Sequence, residues 1–314
     1  MWKRSSLVNK LTALLLTACL VLGLAACGSE SSGGEGIPYT DALGRQVILP
    51  EKPERVAALI GSFADVWCLA GGELCAAAED AWEDFGLELP GTVNIGGAHS
   101  PNLELLLSAD PELVLASAST KANVELLPTL EAAGITVVFF DVDCFTDYLA
   151  MLKTCTDITG RQDLYAQNGL ALKEQIDRIL ESVSLTEETE RILLLRASSG
   201  FVKAKGSEGT VLGQMLAELG CVNIADSDTT LLENLSVESV IAREPYRIFV
   251  VAMGSDTRAA YENLRKMMEE NPAWGELEAV KADRLHLMDK QLFNLKPNAR
   301  WAEAYEILSA LLQG

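Results

Sequence analysis

The residue types that do chemistry are few in this chain. His99 and His286 are its two histidines, which leaves little from which to build a general base. No Gly-x-Ser-x-Gly, GxGxxG, Walker or HExxH pattern occurs. The nearest glycine-rich loop, Gly206-Ser207-Glu208-Gly209, lacks the lysine and the spacing that phosphates need. A three- or four-ligand transition-metal site would have to be completed by carboxylates. No catalytic residue, resident metal or cofactor is therefore assigned. His286 lies in an apolar strand, Leu285-His286-Leu287, and reads as structural. His99 falls in a turn on the side where strands of an open α/β sheet end, so it is a candidate ligand contact.

Charge placement is more informative. With 45 acids against 25 bases the chain carries a formal charge of −20, which argues against nucleic acid as a partner. Two windows break this excess. Between Glu190 and Glu208 stand Arg191, Arg196, Lys203 and Lys205 with no acid, and between Asp289 and Glu303 stand Lys290, Lys296 and Arg300, again with none. Each window holds an aromatic, Phe201 in the first and Phe293 in the second. Both read as loops of a second lobe facing a cleft, opposite Phe63, Asp80, Trp82 and His99 from a first lobe. An aromatic cleft with a basic side suits a large, partly apolar, anionic ligand. The expected ligand contacts are Phe63, Trp82, His99, Phe201, Lys203, Phe293, Lys296 and Arg300.

A different pair of residues points to a macromolecular partner. Residues 102–116 and 236–250 repeat one pattern, in which Glu104 and Glu238 each lie seven positions before a proline that follows an acid. In both copies a helix opens on a polar cap with a carboxylate in its first turn, where free N–H groups and the dipole favour negative charge. The acid-Pro pair then ends the helix, and a β-rich run follows. Two such units predict two lobes of similar build, with Glu104 and Glu238 at equivalent points on one face, placed to meet a twofold partner.

The elements that must position these residues follow from periodicity. Residues 39–50 read as a hairpin around Leu43-Gly44. Strands are expected at 55–60, 74–78, 92–95 and 135–140 and helices at 63–70 and 126–133, with an acidic, aromatic loop at 79–85. Strand and helix alternating at this spacing mark a parallel sheet covered on both faces. Helices at 145–160 and 162–182 come next; the second, at 1.5 Å per residue, would span about 30 Å and is the candidate bridge between lobes. The alternation restarts with a strand at 191–196, a loop at 197–210, a helix at 211–219, strands at 248–251 and 284–288, and a closing helix at 298–312. The fold class is thus α/β: two Rossmann-like lobes with parallel sheets joined by a single long helix. The expected organisation is 38–145 for the first lobe, 146–185 for the linking helices and 186–314 for the second.

The first 27 residues read as a targeting segment. Lys3, Arg4 and Lys10 precede an apolar run, Leu11 to Ala26, that is shorter than the ~20 residues of a membrane span and closes on Leu24-Ala25-Ala26-Cys27. This is similar to a bacterial lipoprotein precursor, with Cys27 as lipid acceptor and residues 28–37 as a flexible tether. Removing it takes the charge from −20 to −23 and places the protein on the extracytoplasmic face of the cell membrane. Leu16-Thr17-Ala18-Cys19 fits the pattern more loosely. Five cysteines remain, Cys68, Cys75, Cys144, Cys155 and Cys221; an odd number without CxxC reads as buried apolar thiols.

Six short motifs in order carry a family resemblance. They are Asp41-Ala-Leu-Gly44-Arg45-Gln-Val47-Ile-Leu-Pro50; Pro53-x-Arg55-Val56; Asn102-Leu-Glu104 with Asp110-Pro111-Glu112-Leu113-Val114; Leu219-Gly-Cys-Val-Asn223-Ile; Ser236-x-Glu238 with Glu244-Pro245; and Asn271-Pro-Ala-Trp274 with Asp283-Arg284. Over residues 39–312 the chain resembles the periplasmic-binding domain of ABC importers for iron chelates and vitamin B12. The resemblance implies a monomeric, bilobal receptor with little closure and no enzymatic step, which delivers an iron(III) chelate such as a siderophore to a dimeric permease with its ATPase pair. By motif position it also implies that Glu104 and Glu238 dock on the permease. Cobalamin or haem is the alternative ligand; a bare metal-ion receptor and a surface enzyme built on this fold are lower alternatives.

Overall fold

Ile37–Thr40 (β1) and Gln46–Leu49 (β2) pair antiparallel, as expected for the hairpin. Asp41 holds the turn: its carboxylate accepts from the Leu43 and Arg45 backbone N–H groups at 3.0 Å each and pairs with the Arg45 guanidinium at 2.6 Å. The computed structural model describes residues 36–314. The targeting segment, Cys27 and nearly all of the tether lie outside the described residues; Ile37, the expected last tether residue, already belongs to β1.

The first lobe is a five-stranded sheet of β3 (Val56–Ala58), β4 (Ala76–Ala77), β5 (Val93–Asn94), β6 (Leu113–Ser117) and β7 (Thr136–Phe140), ordered β5-β4-β3-β6-β7. All its pairings are parallel. The second lobe repeats this plan with β8 (Arg191–Ala197), β10 (Val222–Asn223), β11 (Arg247–Ala252) and β12 (Leu285–Met288), ordered β10-β8-β11-β12. One strand departs from expectation. Within the predicted loop at 197–210, Val202–Ala204 (β9) turns back on β8, so this sheet is not wholly parallel. The two neighbours share one edge of β8: β10 takes its first two residues and β9 its last three. The predicted acidic loop at 79–85 likewise contains a short helix, Asp80–Glu83.

Strand alternation divides the core. Ile192 and Leu194 face the same core as Val56, Ala58, Leu113 and Leu115, whereas Leu193 and Leu195 face a core private to the second lobe. Ala57, Leu59, Val114 and Ala116 face the private core of the first. Each sheet is therefore apolar on both sides, and one core runs through both lobes. Its centre is Trp301, 0 % exposed, whose ring centroid lies 5.9 Å from that of Phe145 and 6.4 Å from that of Tyr148. Separating the lobes would expose this aromatic stack, which favours small relative motion over wide opening.

The bridge is a helix in three parts: Gln162–Tyr165, a π turn at Ala166–Leu170, and Ala171–Ser182. Its start is fixed on the first lobe by Tyr148 Oη donating to the Asn168 carbonyl at 2.7 Å and Asn168 Nδ2 donating to the Leu69 carbonyl at 2.8 Å. Gly169 permits the approach, since a Cβ there would stand 3.0 Å from Leu149 Cδ2. The later turns pack on the terminal helix Trp301–Gln313. Among the described residues no helix is long and apolar enough to cross a membrane. The five cysteines are free thiols; burial pushes Cys221 up to about 12, and Cys68 and Cys144 to about 11.

Candidate functional site

The loops that follow the strands bring the lobes into polar contact. After β12, Lys290 pairs with Asp84 at 2.9 Å, and Gln291 Nε2 donates to the Asp84 carbonyl at 2.9 Å. Asn298, fully buried with φ at 52°, donates through Nδ2 to the Ser62 carbonyl at 2.9 Å and to Asp65 Oδ2 at 2.8 Å. Ser62 and Asp65 follow β3, and Asp84 follows β4. The loops beyond the carboxyl ends of β3, β4 and β12 thus meet between the lobes. A cavity of about 210 Å³ opens there, lined by Asp65, Asp84 and Phe85 from one lobe and by Gln291, Lys296 and Arg300 from the other.

Each wall is built by the same device. The Gly61 N–H donates to Asp80 Oδ2 at 2.8 Å, and in the second lobe the Ser207 N–H donates to Asp226 Oδ1 at 2.8 Å. In both cases an acid just past the second parallel strand of the lobe, β4 or β10, tethers the loop that opens the preceding helix. Gly61 is required for this closeness, because a Cβ there would lie 2.6 Å from the Ala81 nitrogen. Burial raises the Asp80 and Asp65 carboxyls above their ordinary range, offset in part by the Gly61 N–H and by Asn298 respectively.

The expected ligand contacts divide. Trp82 is half-buried beside the shared core, and His99 is exposed in the turn after β5, near Asp80. Phe201 is 37 % exposed, with the Lys203 ammonium 5.5 Å from its ring centroid. Lys296 lines the cavity; burial holds its ammonium below its ordinary value, opposed by Asp143 and Asp141 from the loop after β7. Arg300 reaches the same cavity but is bound to Glu303 at 2.6 Å. Phe63 and Phe293, 1 % and 2 % exposed, belong to the shared core and are unavailable to a ligand, a correction to the expected lining. Phe63 packs edge-on against Phe140 of its own lobe, ring centroids 6.0 Å apart. His286 is a strand residue against Phe249, its ring centroid 5.2 Å away.

Three groove residues were absent from the expected set. Arg196, next to last in β8, stands opposite Lys203 in the β8–β9 register, and its Nε is buried without a partner among the described residues. Lys205 and Asp84 are the others. Arg196 and Lys205 belonged to the charge pattern, but which way they face depends on strand pairing; Asp84 lies in the expected acidic loop. Among the described residues no group of three or more His, Cys, Asp or Glu side chains stands close enough to hold a metal ion. A larger apolar hollow, about 750 Å³, lies wholly within the second lobe, between the Thr257–Glu270 helix and β12. It contains none of the expected contacts.

Glu104 and Glu238 are both exposed in the first turn of their helices, Leu103–Ser108 and Val237–Arg243. Asn102 and Ser236 cap them, accepting from the N–H groups of Leu105 at 3.1 Å and Ser239 at 3.2 Å. Its own backbone N–H, and then the Ser236 hydroxyl donating to it at 2.8 Å, hold the Glu238 carboxyl below its ordinary range. The repeat persists to the end of each unit: Asp110 and Glu244, the acids before the prolines, both take left-handed backbone, φ 48° and 46°.

Residues 56–292 match the model of a protein family described as periplasmic binding protein. A relative from Bacillus subtilis, the Fe(3+)-citrate-binding protein YfmC, is 26 % identical over 305 residues, covering 90 % of each chain. The crystal structure of Staphylococcus aureus SirA complexed with staphyloferrin B superposes with a TM-score of 0.67 at 17 % identity, covering 88 % of this chain and 98 % of that one. The vitamin B12 binding protein BtuF of Vibrio cholerae gives 0.68 at 18 % identity, covering 84 % and 98 %. These structural likenesses concern the fold.

Proposed function

Because the chain belongs to the periplasmic binding protein family, we propose that it is the extracytoplasmic receptor of an ABC importer, which captures an iron(III) chelate between its lobes and hands it to a dimeric permease. The observation that supports this reading is the cavity between the lobes, lined by Asp65, Asp84 and Phe85 on one side and by Gln291, Lys296 and Arg300 on the other. A relative named for ferric citrate supports the ligand class. Binding and release involve no chemical step.

Three parts follow from family position. Cys27 carries the lipid that holds the receptor at the membrane. Glu104 and Glu238 present one carboxylate per lobe to the two permease subunits, and their exposure on matched helices supports that role. The shared core keeps the distance between them nearly constant, so a loaded receptor docks as a rigid body. The test is quenching of tryptophan fluorescence in the full chain, purified in detergent, on titration with ferric chelates, haem and cobalamin. Saturable quenching by a ferric chelate below micromolar concentration is expected. Response to haem or cobalamin alone would replace the ligand, and response to none of them would overturn the reading.

A further inference from the structure

The β8–β9 hairpin aligns three cations. Arg196 and Lys203 are cross-strand partners, so their side chains leave the same face of the sheet. Lys205, whose N–H donates to the Leu194 carbonyl at 2.9 Å, is two residues from Lys203 and shares that face. It is the face of Ile192 and Leu194, which points into the core common to both lobes, and Arg196 is its last residue before the groove. Lys296 arrives from the loop after the Lys290–Phe293 helix and lies close enough to Arg196 for their charges to oppose one another.

None of these four cations has a carboxylate within ion-pair distance among the described residues. The contrast with their neighbours is informative. Lys290 is neutralised by Asp84 and Arg300 by Glu303, at the same groove and in the same strongly acidic chain. Asp141 and Asp143 influence Lys296 from the other lobe but do not reach it as an ion pair. Four like charges gathered at a partly dehydrated surface are unfavourable unless an anion joins them. Arg196 adds a planar donor fork, with Nε already desolvated, that matches a carboxylate in shape.

We propose that this face is an anion subsite and that the ligand is a ferric chelate of the polycarboxylate class, its ionised carboxylates held by Arg196 and Lys296 and steered by Lys203 and Lys205. The proposal rests on the receptor reading above and narrows it. A chelate whose three anionic donor groups are fully offset by the iron(III), such as a ferric trihydroxamate, presents no spare carboxylate and would leave the four cations unsatisfied. The carboxylates of Asp80, Asp141 and Asp143 on the facing lobe would then orient a polyanion, repelling its charged side toward β8.

The test compares ferric citrate, a ferric trihydroxamate and cyanocobalamin as probes of the full chain in detergent. Ferric citrate is expected to bind tightest, and Arg196→Gln and Lys296→Gln are each expected to weaken it about 30-fold or more. Should Arg196→Gln fail to fold, the exposed Lys203→Gln combined with Lys205→Gln is expected to weaken ferric citrate about tenfold in low salt and less in high salt. Preference for the trihydroxamate or cobalamin, or ferric citrate affinity unchanged in the folded variants, would overturn the anion subsite and leave the receptor reading standing. Binding of none of the three would overturn both.

Discussion

At their tips the two lobes are near copies, and at the groove they are opposites. Glu104 and Glu238 occupy the same helical turn, behind the same kind of cap and seven residues ahead of the same left-handed acid-Pro corner. Across the groove, the first lobe brings Asp65, Asp80, Asp84, Asp141 and Asp143, whereas the second brings Arg196, Lys203, Lys205, Lys290 and Lys296. What is repeated suits a partner that is itself twofold; what differs suits a ligand with a charged side and a less charged one. The shared device of Asp80 on Gly61 and Asp226 on Ser207 indicates a common scaffold whose groove side chains diverge.

The comparison breaks most visibly at the tips. If the proposed docking role holds, reversing Glu104 and Glu238 together to Lys is expected to cut uptake of ligand in cells below about a tenth, since both docking carboxylates would be replaced by cations, with ligand affinity unchanged. Affinity lost in parallel would refute the division between tip and groove. A smaller but still large effect is expected at the core that fixes the two tips relative to each other. Trp301→Ala should cost about 3–5 kcal/mol in chemical denaturation and lower the stability of both lobes together in one transition. Loss confined to one lobe would show that the tips are not rigidly linked.

Next comes the polar clasp. Asn298→Ala removes the donor to the Ser62 carbonyl and Asp65, and should cost about 1–3 kcal/mol by the same measurement. The smallest effect has the opposite sign. Lys296 is held below its ordinary value of 10.5 by burial, so the folded chain binds protons there less readily than the unfolded chain. Its penalty is present at neutral pH and fades as pH rises toward 10.5. Lys296→Met is therefore expected to stabilise the ligand-free protein by ~1 kcal/mol at neutral pH, less at alkaline pH, while weakening the anionic ligand. A destabilised variant would mean that Asp141 and Asp143 already compensate the charge.

What the sequence reveals follows how local each feature is. The repeat, the hairpin and the helix at 162–182 are visible because caps, turn residues and helical periodicity lie within a few residues of each other. Strand β9 is not, since three residues in a polar loop become a strand only by pairing with β8. That pairing also decides that Arg196 and Lys205 face the groove with Lys203, which a charge pattern alone leaves open. Phe293 resembles a ligand contact because it stands beside Lys290 and Lys296 in a predicted loop, and Phe63 because it opens a helix just past a strand end. Their burial depends on contacts distant in sequence, such as Phe140 for Phe63, and no local pattern carries it.

The most direct test is anomalous diffraction at the iron edge from crystals of the protein grown with ferric citrate. A single iron peak between the two sheets' strand ends, with the chelate's carboxylates on Arg196 and Lys296, is the expected result. An iron peak in the apolar hollow between the Thr257–Glu270 helix and β12, or at the surface away from both lobes' strand ends, would contradict the account.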